Sequence, residues 1–170
     1  MKLRLRLPFK KGQLWIERDP GQGNALFQTR LFVKHFRHGE LLEEKDLGTG
    51  IITTAGVNLW AADWNNATAT IKLATWHDSG TGVTAPTVSD TAMQTPTGNV
   101  RIQGSQSNLT NVYKTIATLS YGGSLAITEW GLFTAITSVT MFDHRTFTAI
   151  NCLAGDTIQF SYSLTLVSGG

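Results

Sequence analysis

Four histidines, His35, His38, His77 and His144, and five acidic residues, Asp63, Asp78, Glu129, Asp143 and Asp156, are the side chains best suited to acid–base chemistry in this chain. An active site needs such groups to converge on one point. His77-Asp78 and Asp143-His144 are adjacent in sequence, but neighbouring residues of a strand point to opposite faces, so neither pair is a ready-made dyad. The sequence has no His-x-x-x-His motif on a helix and no Gly-x-Ser-x-Gly elbow. Gly80-Thr81-Gly82-Val83-Thr84-Ala85 imitates a dinucleotide fingerprint, yet Pro86 and a polar loop follow where a helix is required. Cys152 is the single cysteine, which excludes a disulfide framework and a Cys-rich zinc site. Beside an apolar strand it reads as a small buried hydrophobe. The residues therefore predict no catalytic group, no metal site and no cofactor.

Glu129-Trp130-Gly131 has two readings. In one, Trp130 stacks on a sugar and Glu129 binds it. In the other, Trp130 is a core aromatic and Glu129 pairs with a neighbour such as Arg145. The second is preferred, because a strand tryptophan usually packs. The N-terminus offers a different chemistry. Leu3, Leu5, Leu7 and Phe9 alternate with Lys2, Arg4, Arg6 and Lys10, the period of an extended strand, and Pro8 favours an edge or an arm. Three roles are open for this basic arm: docking on a neighbouring subunit, protecting a solvated sheet edge, and clamping phosphates. They are ranked in that order, because a solvated arm would expose every one of its apolar groups. Leu3, Arg4, Leu5, Arg6, Leu7 and Phe9 are the expected assembly contacts, and nucleic acid is not the expected partner.

These groups must be positioned by β-structure. Residues 26–37 read as a strand, broken by Gly39 and restarted at Leu41-Leu42, which makes a hairpin with its tip at His38-Gly39. Thr53 or Thr54 caps a short helix over about Ala55 to Trp64, with Leu59, Ala62 and Ala55 on one face and Gly56 weakening it. Thr68 to His77 reads as a strand, and residues 78–99, rich in Gly, Pro, Ser and Thr, as a long functional or interface loop. Val112–Leu119, Leu125–Phe133 and Met141–Ile150 read as further strands, with a turn at Gly122-Gly123 and a bulge at Gly131. Ile158, Phe160, Tyr162, Leu164 and Leu166 then alternate with Gln159, Ser161, Ser163 and Thr165, so one side faces a core and the other solvent or a partner. Trp130, Phe133, Ile158, Phe160, Tyr162 and Leu164 are the expected structural core, with Ile127 nearby. The fold expected is all-β, an antiparallel β-sandwich of jelly-roll type, with under about 15% helix and at most one short helix. Residues 1–25 form the extended arm and loop, and residues 26–170 a single sandwich domain.

Charge is distributed unevenly. Residues 1–46 carry ten of the fourteen Lys/Arg and six of the twelve Asp/Glu. Residues 47–170 carry only ten charges in 124 positions, against 33 Ser and Thr. Charge normally keeps a free monomer soluble, so a surface this poor in it suits a protein packed against neighbours. No run of about 18 apolar residues is present to span a membrane, and the basic start lacks the apolar region of a signal peptide.

Two stretches carry a family resemblance. The first is Lys45-Asp46-Leu47-Gly48 through Thr53-Thr54-Ala55-Gly56-Val57-Asn58, followed by His77-Asp78-Ser79-Gly80-Thr81-Gly82 and the segment from Ala85 to Pro96. The second is Ile127-Thr128-Glu129-Trp130-Gly131-Leu132-Phe133, then Met141-Phe142-Asp143-His144-Arg145, then Gly155-Asp156-Thr157-Ile158-Gln159-Phe160. Together they resemble small virion proteins of tailed bacteriophages, of the head-decoration or tail-fibre-like kind, over about residues 30–167. The resemblance implies a non-enzymatic structural protein of the virion, assembled in the host cytoplasm. It implies a homo-oligomer, expected to be a trimer, that bridges other virion proteins such as the major capsid protein. The leading expectation is a capsid decoration or cement protein. A tail or fibre component, either connector or host-binding module, is the alternative. A carbohydrate-binding domain using Trp130, Trp76 or Trp64 is the third reading.

Overall fold

The chain pairs its first long strand with its last. β2 (Ala25–Arg37) lies antiparallel to β11 (Thr157–Ser168) through an unbroken register from Phe36↔Thr157 to Ala25↔Ser168. The computed structural model describes residues 13–14, 25–63, 74–137 and 140–168. β8 (Val112–Ser120) lies on the other side of β11, and β7 (Ser105–Leu109) forms that edge. On the far side of β2, β1 (Gln13–Leu14) and β3 (Glu40–Asp46) share one edge. The second sheet runs β4 (Ile51–Ile52), β10 (Met141–Cys152), β9 (Leu125–Phe133), β5 (Trp76–Gly80) and β6 (Ile102–Gln103), also antiparallel. The chain crosses between sheets after β3, β6, β8 and β10. The result is an all-β sandwich with one short helix, α1 (Thr54–Asp63).

Alternation in β11 decides which face is buried. Ile158, Phe160 and Tyr162 are fully buried, and Leu164 nearly so. They meet Trp130 from β9, whose ring stacks on Tyr162 at 5.5 Å and on Phe160 at 6.3 Å between centroids. Such offset aromatic pairs add to the area they bury. Leu166, expected to continue this face, is 42% exposed instead. It pairs with Phe27 near the end of the β2 ladder and lies just past the last β8 pair, Thr165↔Val112. Phe133 is buried, but on the opposite face from Trp130, where it packs with Met93, Met141 and Trp76 as a second, smaller cluster.

The β2–β3 hairpin turns at His38-Gly39, both in the left-handed region with φ of 50° and 84°, as a two-residue hairpin turn demands. Thr53 caps α1: its Oγ1 accepts from the Gly56 N–H at 3.0 Å and donates to the Met141 carbonyl. Gly56 lowers helix propensity, but a Cβ there would stand 2.7 Å from the Phe142 carbonyl oxygen, so its absence lets the helix dock. Of the expected helix face, Leu59 packs on the core while Ala62 is exposed; Trp60 takes that role, lying 4.3 Å from the Phe27 ring. The bulge expected at Gly131 is absent. The register shifts lie on the partner strand, between Met141 and Asp143 and between Thr146 and Ile150. Gly131 instead gives clearance, since a Cβ there would meet Phe133 at 2.8 Å and Met93 at 3.3 Å. Of the strand expected over Thr68–His77, only Trp76 and His77 are strand among the described residues, and that strand continues to Gly80. Residues 1–12, including Leu3, Arg4, Leu5, Arg6, Leu7 and Phe9, lie outside the described residues, as does Trp64.

Candidate functional site

The titratable residues fall on two faces of the second sheet, as strand alternation requires. His77 points inward and Asp78 outward; Asp143 points inward and His144 outward. No adjacent pair forms a dyad.

The inward groups join the two sheets. Trp130 Nε1 donates to His77 Nδ1 at 3.2 Å, so His77 carries its hydrogen on Nε2 and donates it to Thr115 Oγ1 at 3.1 Å. Burial pushes the His77 imidazolium down to about 3, so this ring is neutral. The Tyr121 hydroxyl donates to Ser79 Oγ at 3.0 Å, and the Tyr162 hydroxyl to Asp143 Oδ2 at 3.3 Å. Burial pushes the Asp143 carboxyl up to about 6, against the opposing pull of Arg145. Arg145 is buried two residues further along the same face, where it donates to the Gly48 carbonyl and to Thr29 Oγ1. These bonds link the two sheets across the core, while Asp143 Oδ1 and Arg145 Nε are buried there without a hydrogen-bond partner.

The outward face of the second sheet is roofed by the loop that follows β5. Glu129, fully buried, is its anchor. Its carboxylate accepts three backbone N–H groups of the loop: Gln94 at 2.5 Å, Thr95 at 3.1 Å and Gly82 at 3.2 Å. It also accepts His144 Nε2 at 2.8 Å, while His144 Nδ1 lies 2.7 Å from Asp90 Oδ2 on the loop. Burial raises the Asp90 carboxyl, but hydrogen bonds from Thr87 and His144 outweigh it and hold the group below its ordinary value. Next to this network Asp78 pairs with Arg101 at 3.3 Å, and the Arg101 guanidinium sits 3.4 Å from the Phe133 ring centroid. Glu129 does not pair with Arg145, the neighbour that the sequence suggested for it. Arg145 stands directly across from Trp130 and shares its inward face, whereas Glu129 and His144 share the outward one. Asp90 was missed, because nothing in a polar loop marks which carboxylate will turn inward.

A third cluster closes the end of the first sheet. Asp156 accepts two bonds from Arg37 (2.9 and 2.8 Å), one from the Leu153 N–H (2.8 Å) and one from His35 Nε2 (2.9 Å). Arg37 holds the Asp156 carboxyl far below the ordinary carboxylate range. Cys152 lies beside His35 and Asp156, and the ligand atoms of the three are within 4.8 Å of one another. However, four donors already occupy the Asp156 oxygens, and burial pushes the Cys152 thiol up to about 12, so it is no thiolate. The cluster works as a buried ion pair. Asp156 and Asp90 are both depressed, so their contribution to stability is complete above the unfolded carboxylate value of about 3.9 and fades as pH falls below it. Asp143 has the opposite sign: its penalty is present above about 6 and is relieved toward about 4. We expect Asp156→Asn to lower the urea midpoint at neutral pH and to flatten its decline in acid. An unchanged acid decline would assign that limb to other carboxylates.

Trp130 is fully buried and offers no platform for a sugar; Trp76 is partly buried against Met93, Phe133 and Met141. A surface hollow of about 150 Å³ is lined by Thr49, Gly50, Ile51, Ala85, Pro86, His144, Arg145 and Thr146. It is smaller than the range of ordinary ligand pockets. Among the described residues no helix is long and apolar enough to cross a membrane. Compared with family models, with curated proteins and with solved structures, the chain matches none.

Proposed function

We propose that this chain is a non-enzymatic structural protein of a tailed-bacteriophage particle, a head decoration protein that binds the capsid lattice as a homo-oligomer. One observation carries the reading. Among the described residues from 47 onward, Lys114 is the single exposed charge. Asp63, Asp78, Glu129, Asp143, Arg145 and Asp156 are buried, and Asp90 and Arg101 are half-buried in ion pairs. From residue 47 onward the sandwich keeps its charges buried or half-buried, Lys114 excepted, and offers the outside Ser, Thr and scattered apolar groups, among them Leu109 at 79% and Val83 at 77% exposure; its other exposed charges among the described residues lie on β2 and β3, at Arg30, Glu40, Glu44 and Asp46. A free monomer gains solubility from the reverse arrangement, while a subunit that buries large faces against neighbours avoids the cost of desolvating charge. His77, Asp78, Asp90, Glu129, His144 and Asp156 are engaged in bonds to other parts of the fold, which supports a role without chemistry.

The arm belongs to the same proposal. Leu3, Leu5, Leu7 and Phe9 on a neighbouring subunit would each gain roughly 1.5–3 kcal/mol if fully buried, before ordering costs. Purified protein is expected to run as a discrete oligomer, a trimer, in light scattering and to bind particles that lack it. Removing residues 1–11 is expected to leave the β-type circular dichroism intact while weakening assembly. A soluble monomer with no affinity for such particles would refute the proposal. Loss of DNA binding on Arg4→Ala plus Arg6→Ala, with assembly untouched by Leu5→Ser plus Leu7→Ser, would move the arm to nucleic acid.

A further inference from the structure

Among the described residues the exposed acids lie on a single strand. Glu40, Glu44 and Asp46 are exposed on β3 and Glu43 is half-buried there, whereas every acid from residue 47 onward is buried or half-buried. β3 pairs with β2 along one edge, and among the described residues its other edge carries no ladder. An open edge is a template for another strand. Leu41 and Leu42 on the same strand are 50% and 48% exposed. Arg30, Lys34 and Lys45 reach Asp46, Glu44 and Glu43 through partly or fully exposed side chains, and Glu40 makes no ion pair. Exposed pairs of this kind hold weakly, so these carboxylates can take a further cation.

We propose that the open edge of β3 receives residues 4–10 of the basic arm from a neighbouring copy, added as an antiparallel strand. The inference rests on the reading of the arm as an assembly element and names its docking site. Spacing carries the match. Arg4, Arg6 and Lys10 stand two and four residues apart, and so, in reverse order, do Asp46, Glu44 and Glu40. Reverse order is what antiparallel pairing requires, and opposite charges across a ladder stabilise it. In this register Phe9 meets Leu41, and Leu5 and Leu7 lie across from Lys45 and Glu43, whose methylene stems they cover. Pro8, which has no N–H to donate, meets Leu42, where the β2–β3 register is already irregular. The arm of the same copy fits worse. β1 and β3 both run antiparallel to β2, so an arm carried back from β1 along its own sheet would run parallel to β3. A parallel register matches at most two of the three charge pairs. The edge of β2 is closed to it as well, because the Leu31 N–H and carbonyl bond to Gly48 and Leu47. Arm and edge are different surfaces, so each copy gives one arm and receives one, a head-to-tail contact that can close into a ring such as the expected trimer.

The test mixes two full-length proteins, one carrying Phe9→Cys and the other Leu41→Cys, and oxidises them; the native Cys152 is buried. A covalent heterodimer is expected on a denaturing gel, and none when Phe9→Cys is mixed with Val83→Cys, at an exposed site on the loop after β5. Glu40→Lys plus Glu44→Lys, and separately Arg6→Glu plus Lys10→Glu, are each expected to raise the concentration at which half the oligomer forms by about tenfold or more, and both reversals in one chain are expected to restore it. An oligomer that forms without the heterodimer link, or reversals that do not rescue each other, overturns the docking site while leaving the arm an assembly element. A chain with both cysteines that links only to itself assigns the edge to its own arm and overturns the proposal too. Assembly unchanged by removal of residues 1–11 refutes the reading of the arm itself, and the docking site falls with it.

Discussion

Phe160→Ala is expected to lower the free energy of unfolding by about 3–5 kcal/mol. Phe160 is fully buried, sits between Val33 and Ala117 on the flanking strands and lies under Trp130 from the opposite sheet. The loss combines the transfer of an aromatic ring with a cavity that two paired sheets cannot close. The control is Leu166→Ala on the same strand and the same parity. Leu166 is 42% exposed, so its truncation is expected to cost under about 1 kcal/mol. Urea unfolding of the two variants reads the register directly. Equal losses, or a loss under about 1 kcal/mol at Phe160, would mean that β11 buries a different face.

Glu129→Ala is expected to cost a further large amount, about 3–5 kcal/mol, because it leaves several buried donors without their shared acceptor. The Gly82, Gln94 and Thr95 N–H groups and the His144 Nε2–H all lose their acceptor at once. Hydrogen bonds to an ionised partner are the stronger kind, at roughly 1.5–3 kcal/mol each, and the groups left behind stay desolvated. Glu129→Gln should fall between wild type and Ala, since its amide end places a donor where the site supplies donors. The check is the urea midpoint together with proteolysis of the loop. A Glu129→Ala variant that loses under about 1 kcal/mol and keeps its loop protected would show that apolar contacts at Met93 hold the roof without the carboxylate.

The parts that the sequence made legible are those governed by short-range periodicity. Alternation from Ile158 to Leu164 identified the buried face, and His38-Gly39 identified the turn, because both follow from local backbone geometry. Leu166 continued the alternation but not the burial, since burial depends on how far the opposing sheet extends. β7, with the sequence Ser-Gln-Ser-Asn-Leu, is not legible because it is exposed on every residue and pairs along one edge with β8. The Glu129–His144–Asp90 contact was hidden for a related reason. Glu129 lies in an apolar strand, and period two applied to β9 and β10 together would have put Glu129 and His144 on one face and Trp130 and Arg145 on the other. That step needs the cross-strand register, which irregularities in β10 set and local sequence does not. Gly80, Gly82 and Gly131 were the remaining signal: on Gly80 and Gly82 a Cβ would stand 2.5 Å from Glu129 Oε2, so small residues around a lone strand carboxylate mark a covering segment. The inward use of charge was half legible. The scarcity of charge after residue 46 was plain in the sequence, but its burial, which strengthens the assembly reading, emerged only from the fold.

If the chain is a repeated exterior subunit of a phage head, as proposed, its copy number in purified particles, measured by quantitative mass spectrometry against the major capsid protein, is the most direct test. Hundreds of copies per particle are expected, in fixed proportion to the capsid lattice. A few to a few dozen copies would contradict decoration and place the chain in the tail, and its absence from particles would contradict a virion role altogether.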